Sequence, residues 1–224
     1  MVKLAPAFQE LLINVFKQPR LWECFVSAPS SCIGHHCEKG GNVRHTLEVV
    51  ELAITMALPF RSLVDEDVLI TAALLHDLGK ALEYVSSHSG HRMSMEGKLV
   101  GHRLNGYALV CNALTITPGI TRIQSLGLRN CLTASEWPRA DARGIATLEG
   151  TILRKADQLS AAADLYRRSY ASMTSDNGLG IPHPHLQETP WHIKEKPKKV
   201  KTPRERLREH SIRRVGGTWR SVRS

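Results

Sequence analysis

Apolar residues recur at helical spacing along most of this chain, and no segment shows the convincing period-of-two alternation of a half-buried strand. Residues 5–28 read as one amphipathic helix, with Phe8, Leu11, Leu12, Val15, Phe16 and Leu21 near one face. A turn-rich loop over 27–42 follows. Helix resumes around Arg44, carries Leu47, Val50, Leu52 and Ile54, and stops before Pro59, which lacks the N–H a helix interior needs. Asp65-Glu66-Asp67 then places acids where a helix N-terminus welcomes negative charge. That helix runs into the apolar stretch Leu69 to Leu75. Residues 84–95, rich in Ser, Gly and His, read as a loop, and a helix from about Glu96 to Leu114 contains His102. Thr117-Pro118-Gly119 is a turn, and a further helix is expected over 120–135. A loop follows around Trp137 to Gly144. Residues 146–173 then form a long helix with an apolar stripe of Leu148, Ile152, Leu153, Ala156, Leu159, Ala163 and Tyr166. The expected class is all-α.

Composition changes this picture at the C-terminal end. From Thr174 the chain becomes rich in Pro, Gly and charge, which favours disorder or an extended arm. Of the 30 Lys and Arg, 12 lie between Trp191 and Ser224 against 3 acids, so the preceding 190 residues hold 18 of each sign. The expected organisation is a helical domain over residues 1–173 and a flexible basic tail over 174–224, partly disordered. PRERLREHSIRR, residues 203–214, can form a short helix on binding a partner. No run of 18 apolar residues marks a membrane span, and the first residues lack the cleavage site of a signal peptide. The five cysteines show no CxxC spacing and read as reduced thiols of a cytoplasmic protein.

The candidate chemistry sits in LITAALLHDLGK, residues 69–80. His76 and Asp77 stand at the mouth of an apolar run, where burial is costly unless they are paired. A divalent cation pairs both, since imidazole suits Zn, Fe or Ni and carboxylate suits Mg or Mn. Gly79 reads as a residue that lets the backbone turn tightly, and Lys80 as a positive charge beside the ion. Two further ligands are available on other helices: His45 in GGNVRHTLEVVELA, and Asp157 in ILRKADQLSAAADLY, an acid beside a core-facing stripe. His45 is separated by 30 residues from His76-Asp77, and Asp77 by 79 from Asp157. Two imidazoles and two carboxylates from three helices can close a mixed N/O site.

The pattern His45, His76-Asp77, Asp157 resembles the HD superfamily of metal-dependent phosphohydrolases, which are helical bundles; HDLGK is a typical form of the middle motif. The resemblance covers roughly residues 27–170. HHCEKGGNVRHTLEV, LLHDLGK and EGKLVGH are also similar to the YhaM-like branch of 3′–5′ exoribonucleases, and HD-type conjugative relaxases have a related opening. In such relatives the histidine of the GH element adds to the metal site, which implies His102 here. A further histidine pair, expected in many two-metal members within NCLTASEWP, is replaced by Ala134 and Ser135, with Glu136 as a possible substitute. One or two ions are therefore implied, drawn from Mn, Mg, Fe, Ni or Zn. His35 and His36 match the HH of the opening and are expected to bind substrate.

The implied reaction is metal-assisted phosphoester hydrolysis, in which the ion acidifies a water and draws charge from a phosphoryl oxygen. Asp77 would bridge ions or orient the attacking water, with Lys80 and Arg44 neutralising phosphate charge. The basic tail favours a single-stranded nucleic acid or nucleotide substrate, with Trp191 and Trp219 able to stack on bases. The alternatives are a small-nucleotide phosphohydrolase or phosphodiesterase, and a non-catalytic HD-fold module binding nucleic acid or a partner in a mobile element.

Overall fold

The computed structural model describes residues 3–87, 90–133, 146–172, 178–186 and 188–193. Its helices are α1 (Pro6–Val15), α2 (Pro19–Ser27), α3 (Gly41–Ala57), α4 (Glu66–Leu75), α5 (Lys80–Glu83), α6 (Met95–Leu99), α7 (His102–Thr115), α8 (Arg122–Thr133) and α9 (Leu148–Ala171). A 3-10 turn, Leu58–Leu63, continues α3. The all-α reading holds, with one addition. Residues expected to be loop pair as a short antiparallel hairpin, β1 (Tyr84–Ser87) with β2 (Gly90–Met93). Strands of four residues are too short to print a period on the sequence.

α4 is the central element and touches α1, α3, α8 and α9. Its sequence EDVLITAALL is apolar nearly all round, as a helix buried on several sides must be. The Asp65 carboxylate caps it by accepting from the Val68 N–H at 3.0 Å, and Asp67 ties it to α1 by accepting from the Ala5 N–H at 2.8 Å. Leu69, Ala72, Ala73 and Leu75 are fully buried, together with Phe8 and Leu11 of α1, Val49 and Ala53 of α3 and Leu128 of α8. Each such large side chain contributes roughly 1.5–3 kcal/mol through its removal from water. The wall facing α3 and α4 is α9, capped by Thr147, whose hydroxyl accepts from the Gly150 N–H at 3.0 Å.

Three expected helices differ in detail. The helix over 5–28 is two helices, because Pro19 opens a new one after Gln18. The helix over 96–114 breaks at Gly101, whose φ of +80° suits only glycine, so His102 begins α7 instead of lying inside a longer helix. On α9, Ile152, Leu153 and Ala156 are buried as expected, but Leu159 is 47% exposed, and Ser160, Asp164 and Ser169 take core positions. Leu47 on α3 is likewise exposed.

Past α9, residues 178–186 and 188–193 fold back on its end. Leu179 pairs with Trp191, the Ser169 hydroxyl donates to the Ile181 carbonyl at 2.6 Å, and the Tyr170 hydroxyl donates to that of Trp191 at 3.4 Å. Residues 134–145, with Ala134, Ser135 and Glu136, and residues 194–224, with the 203–214 segment and Trp219, lie outside the described residues. Among the described helices none is long and apolar enough to cross a membrane.

Candidate metal centre

α3, α4 and α9 meet at the C-terminal end of α4, and each brings ligand atoms to that point. His45 faces inward from α3, fully buried, and its Nε2 lies 3.0 Å from Asp157 Oδ1 of α9 and 3.3 Å from His76 Nε2. Asp77 Oδ2 completes the group at 3.6 Å from His45 Nε2 and 3.4 Å from His76 Nε2. One ligand atom each from His45, His76 and Asp157 lies within 4.8 Å of the others, close enough to share one ion.

The hydrogen bonds behind the rings fix which nitrogen carries the proton. His76 Nδ1 stands 2.8 Å from the Ala73 carbonyl, which only accepts, so that nitrogen donates. His45 Nδ1 lies 3.0 Å from Ser160 Oγ, and the single Ser160 proton goes to the Glu48 carboxylate at 2.9 Å. Ser160 therefore accepts from His45 Nδ1–H. In their neutral forms both imidazoles turn Nε2 lone pairs toward each other and toward two carboxylates. Four electron-rich atoms converge on one point, an arrangement that a divalent cation satisfies, with the outer hydrogen bonds orienting the rings.

The charge balance keeps both carboxylates ionised, while at His76 it favours a proton that a bound ion would displace. Burial pushes the Asp77 pKa up, but the Lys80 ammonium and the His76 ring outweigh it and hold the carboxyl well below its usual value. Burial likewise opposes ionisation of Asp157, yet the hydrogen bond that a protonated His45 Nε2 would donate to it leaves the pKa lowered. At His76 burial favours the neutral ring, and the Asp77 carboxylate overrides it and raises the pKa.

The HD domain family matches residues 42–162, more than half of the chain and the whole of this ligand set. The chain belongs to the HD domain family. A dihydroneopterin 2′,3′-cyclic phosphate phosphodiesterase of Methanocaldococcus jannaschii is 36% identical over 67 residues, which are 28% of this chain and 27% of that protein. The match thus spans about a quarter of the relative's length. No solved structure matches.

Around the HD centre the remaining predicted residues fall in different places. His102 Nε2 approaches the other oxygen of Asp77, Oδ1, at 3.6 Å, while its Nδ1 is 2.9 Å from Glu83 Oε2. It therefore stands beside Asp77 on the side away from His45 and His76. Lys80 does not point at solvent. It is 6% exposed, its ammonium lies 2.8 Å from Asp77 Oδ2, and it donates to the Ser30 carbonyl and to Ser30 Oγ. The expected phosphate-facing cation is instead the counterion of Asp77 and the tie to the loop before α3. Arg44 is half exposed and paired with Glu38 at 3.0 Å and Glu48 at 3.5 Å.

The two loop histidines separate. His35 lies against His45, ring centroids 4.7 Å apart, and burial, reinforced by His45 and Lys80, lowers its pKa to about 4. His36 turns into the core through a left-handed backbone (φ +46°), with its N–H donated to Asp164 Oδ2 at 2.8 Å and its Nε2 3.2 Å from Glu48 Oε2. Its ring is fully buried among Glu48, Asp164 and His45, so it is not exposed for the substrate contact expected of it.

The centre opens into a narrow cleft. Its lining includes His76, Asp77 and Asp157 of the centre, Cys131, Leu132, Gly150 and Leu153, and the two arginines Arg103 and Arg154. Sequence reasoning missed these arginines, and it missed Glu48, Ser160 and Asp164. A signal existed for some: Asp157, Ser160 and Asp164 are spaced three and four apart, one polar stripe on a helix face, and Arg154 lies three residues before Asp157.

Ser160 offers a direct test of the outer hydrogen bonds. Ser160→Ala removes the acceptor of His45 Nδ1–H, so the ring loses its fixed tautomer while the small side chain still fits α9. Metal affinity is expected to fall roughly 10- to 100-fold, read by titrating a divalent ion into chelator-treated protein, with the far-ultraviolet circular dichroism unchanged. Wild-type affinity in the variant would exclude a role for Ser160 in orienting His45.

Proposed function

We propose that the chain is a metal-dependent phosphodiesterase that cleaves phosphodiester bonds in single-stranded nucleic acid or oligonucleotides. The observation that carries the reaction class is the convergence of His45 Nε2, His76 Nε2, Asp77 Oδ2 and Asp157 Oδ1 beside an open cleft. These four residues would hold the ion, which supplies Lewis acidity toward a phosphoryl oxygen and acidifies water. The protein does the positioning. Lys80 holds Asp77 ionised and in place, Ala73 and Ser160 orient the two rings, and His35 sets an imidazole beside His45.

Membership of the HD domain family and the partial likeness to a phosphodiesterase support hydrolysis of a diester. The basic tail supports a polyanionic substrate, and the HHCEKGG opening supports the exoribonuclease-like branch. A second reading, a phosphodiesterase of small cyclic phosphates, is favoured by the relative's own substrate. Elemental analysis of protein purified without added metal, followed by assays with Mn, Mg, Ni and Fe on short single-stranded oligomers and cyclic mononucleotides, separates the two. Cleavage of cyclic mononucleotides alone would reject the nucleic-acid reading.

The tail has its own test. Truncation after Gln187 removes all 12 basic residues that follow Trp191, and each phosphate they neutralise contributes a log–log salt slope of about −0.7 on a single strand. The shortened chain is expected to bind oligonucleotide more weakly at low salt and with a shallower slope. An unchanged slope, measured by fluorescence anisotropy from 50 to about 200 mM salt, would remove the tail from substrate binding.

A further inference from the structure

Beyond the ligand set, the cleft carries two guanidinium groups that no part of the proposed hydrolysis uses. Arg103 stands in the first turn of α7, directly after His102, and Arg154 stands on α9 one turn before Asp157. Two separate helices thus send an arginine to one cleft that His76, Asp77 and Asp157 also line. Among the described residues no ion pair engages Arg154. Both side chains are exposed, unlike Lys80, whose charge is spent on Asp77.

Charge decides what these groups suit. Lys80 neutralises Asp77. A divalent ion set against the Asp157 carboxylate then leaves about one positive charge, which matches the single negative charge of a phosphodiester. Arg154 gives the cleft cationic character beyond that match, and Arg103 lines the same cleft. Guanidinium groups bind phosphate through paired N–H donors, and an additional phosphate is the anion a diester substrate most readily brings.

We infer that Arg103 and Arg154 form a subsite for a second phosphate next to the scissile one, so that this HD centre selects substrates carrying two neighbouring phosphates over those with a single diester. This rests on the phosphodiesterase reading and narrows it: a 5′-phosphorylated dinucleotide is preferred to the unphosphorylated one, and an isolated cyclic phosphate is a poor substrate.

The test uses the full chain with Mn²⁺ and reads binding apart from turnover. Titration calorimetry compares adenosine 3′,5′-bisphosphate with adenosine 3′-monophosphate, and a parallel assay compares hydrolysis of the 5′-phosphorylated and unphosphorylated dinucleotides. Wild type is expected to bind the bisphosphate at least tenfold more tightly. Arg154→Ala and Arg103→Ala each reduce that preference several-fold, the double variant abolishes it, and Arg154→Lys restores part of it. Both residues are exposed, and circular dichroism confirms the fold of each variant.

Equal affinity of wild type for the two ligands, or a preference that survives in the double variant, overturns the subsite. If dinucleotides are cleaved without such a preference, the subsite falls and the diesterase reading stands. If no diester is cleaved yet the arginine-dependent preference remains, the subsite stands and the diesterase reading falls.

Discussion

Replacing Asp77 by alanine is expected to remove the metal, the hydrolytic activity and much of the stability together, whereas replacing His76 removes only the first two. The difference lies in what each side chain leaves behind. His76 sits at the rim of the centre, and its other nitrogen bonds a backbone carbonyl, so His76→Ala loses a ligand without stranding a charge. Asp77 is the counterion of a buried ammonium, Lys80, 2.8 Å away and equally sequestered. Breaking such a pair by removing one partner costs about 3–5 kcal/mol, because the remaining charge is buried and unmatched. Asp77→Asn should cost nearly as much, since the amide keeps the shape but not the charge. Metal content after gel filtration, hydrolysis of bis(4-nitrophenyl) phosphate and urea unfolding give the three readouts. Activity should fall at least about a thousandfold in both alanine variants, equivalent to roughly 4 kcal/mol of barrier. Retention of metal and wild-type turnover by either variant would overturn the centre as built here.

Gly79→Ala is expected to have the second largest effect, for a reason that motif reading does not supply. The glycine of HDLGK reads as a turn residue, but its backbone is ordinary, with φ −66° and ψ −12°. What requires glycine is close approach. A Cβ at this position would overlap the His102 carbonyl oxygen and lie 2.7 Å from the Gly106 amide nitrogen. Both are backbone atoms of the first turns of α7 and cannot rotate away. The helix that carries His102 and Arg103 would have to shift, and we expect a loss of about 3 kcal/mol, the upper part of the range for overpacking, with a parallel loss of activity. Gly127→Ala is the contrasting case. It lies inside α8, where a Cβ would meet only Val68 Cγ1 at 3.7 Å, an ordinary contact. There the methyl group should stabilise by about 0.4–1 kcal/mol through the unfolded state and helix propensity. If urea denaturation shows the two glycines responding alike, the close approach of α7 to Gly79 is not what constrains the motif.

The Asp77–Lys80 pair and the Gly79 contact show why the motif is contiguous. Asp77, Gly79 and Lys80 perform three jobs within four residues: ligand, clearance for α7, and internal counterion. A phosphate-facing role for Lys80 was a fair expectation from a cation next to a metal-binding pair. It fails because the loop before α3 passes close enough for Ser30 to take two of the ammonium's hydrogen bonds.

The amino-acid sequence by itself determined the helical class, the central place of Leu69 to Lys80, and four candidate ligand positions that the structure brings together. It could do so because helical periodicity is local and because few residue types ligate a divalent ion. The tertiary structure decided everything that depends on direction. It turned His36 into the core and left His35 beside His45, although the two are neighbours in the chain. It joined Glu48, Ser160 and His45 across α3 and α9, broke two long helices at Pro19 and Gly101, and brought Arg103 and Arg154 to one cleft. A residue's type is written in the chain, but where its side chain points is set by the elements packed against it, and those come from positions up to more than a hundred residues away.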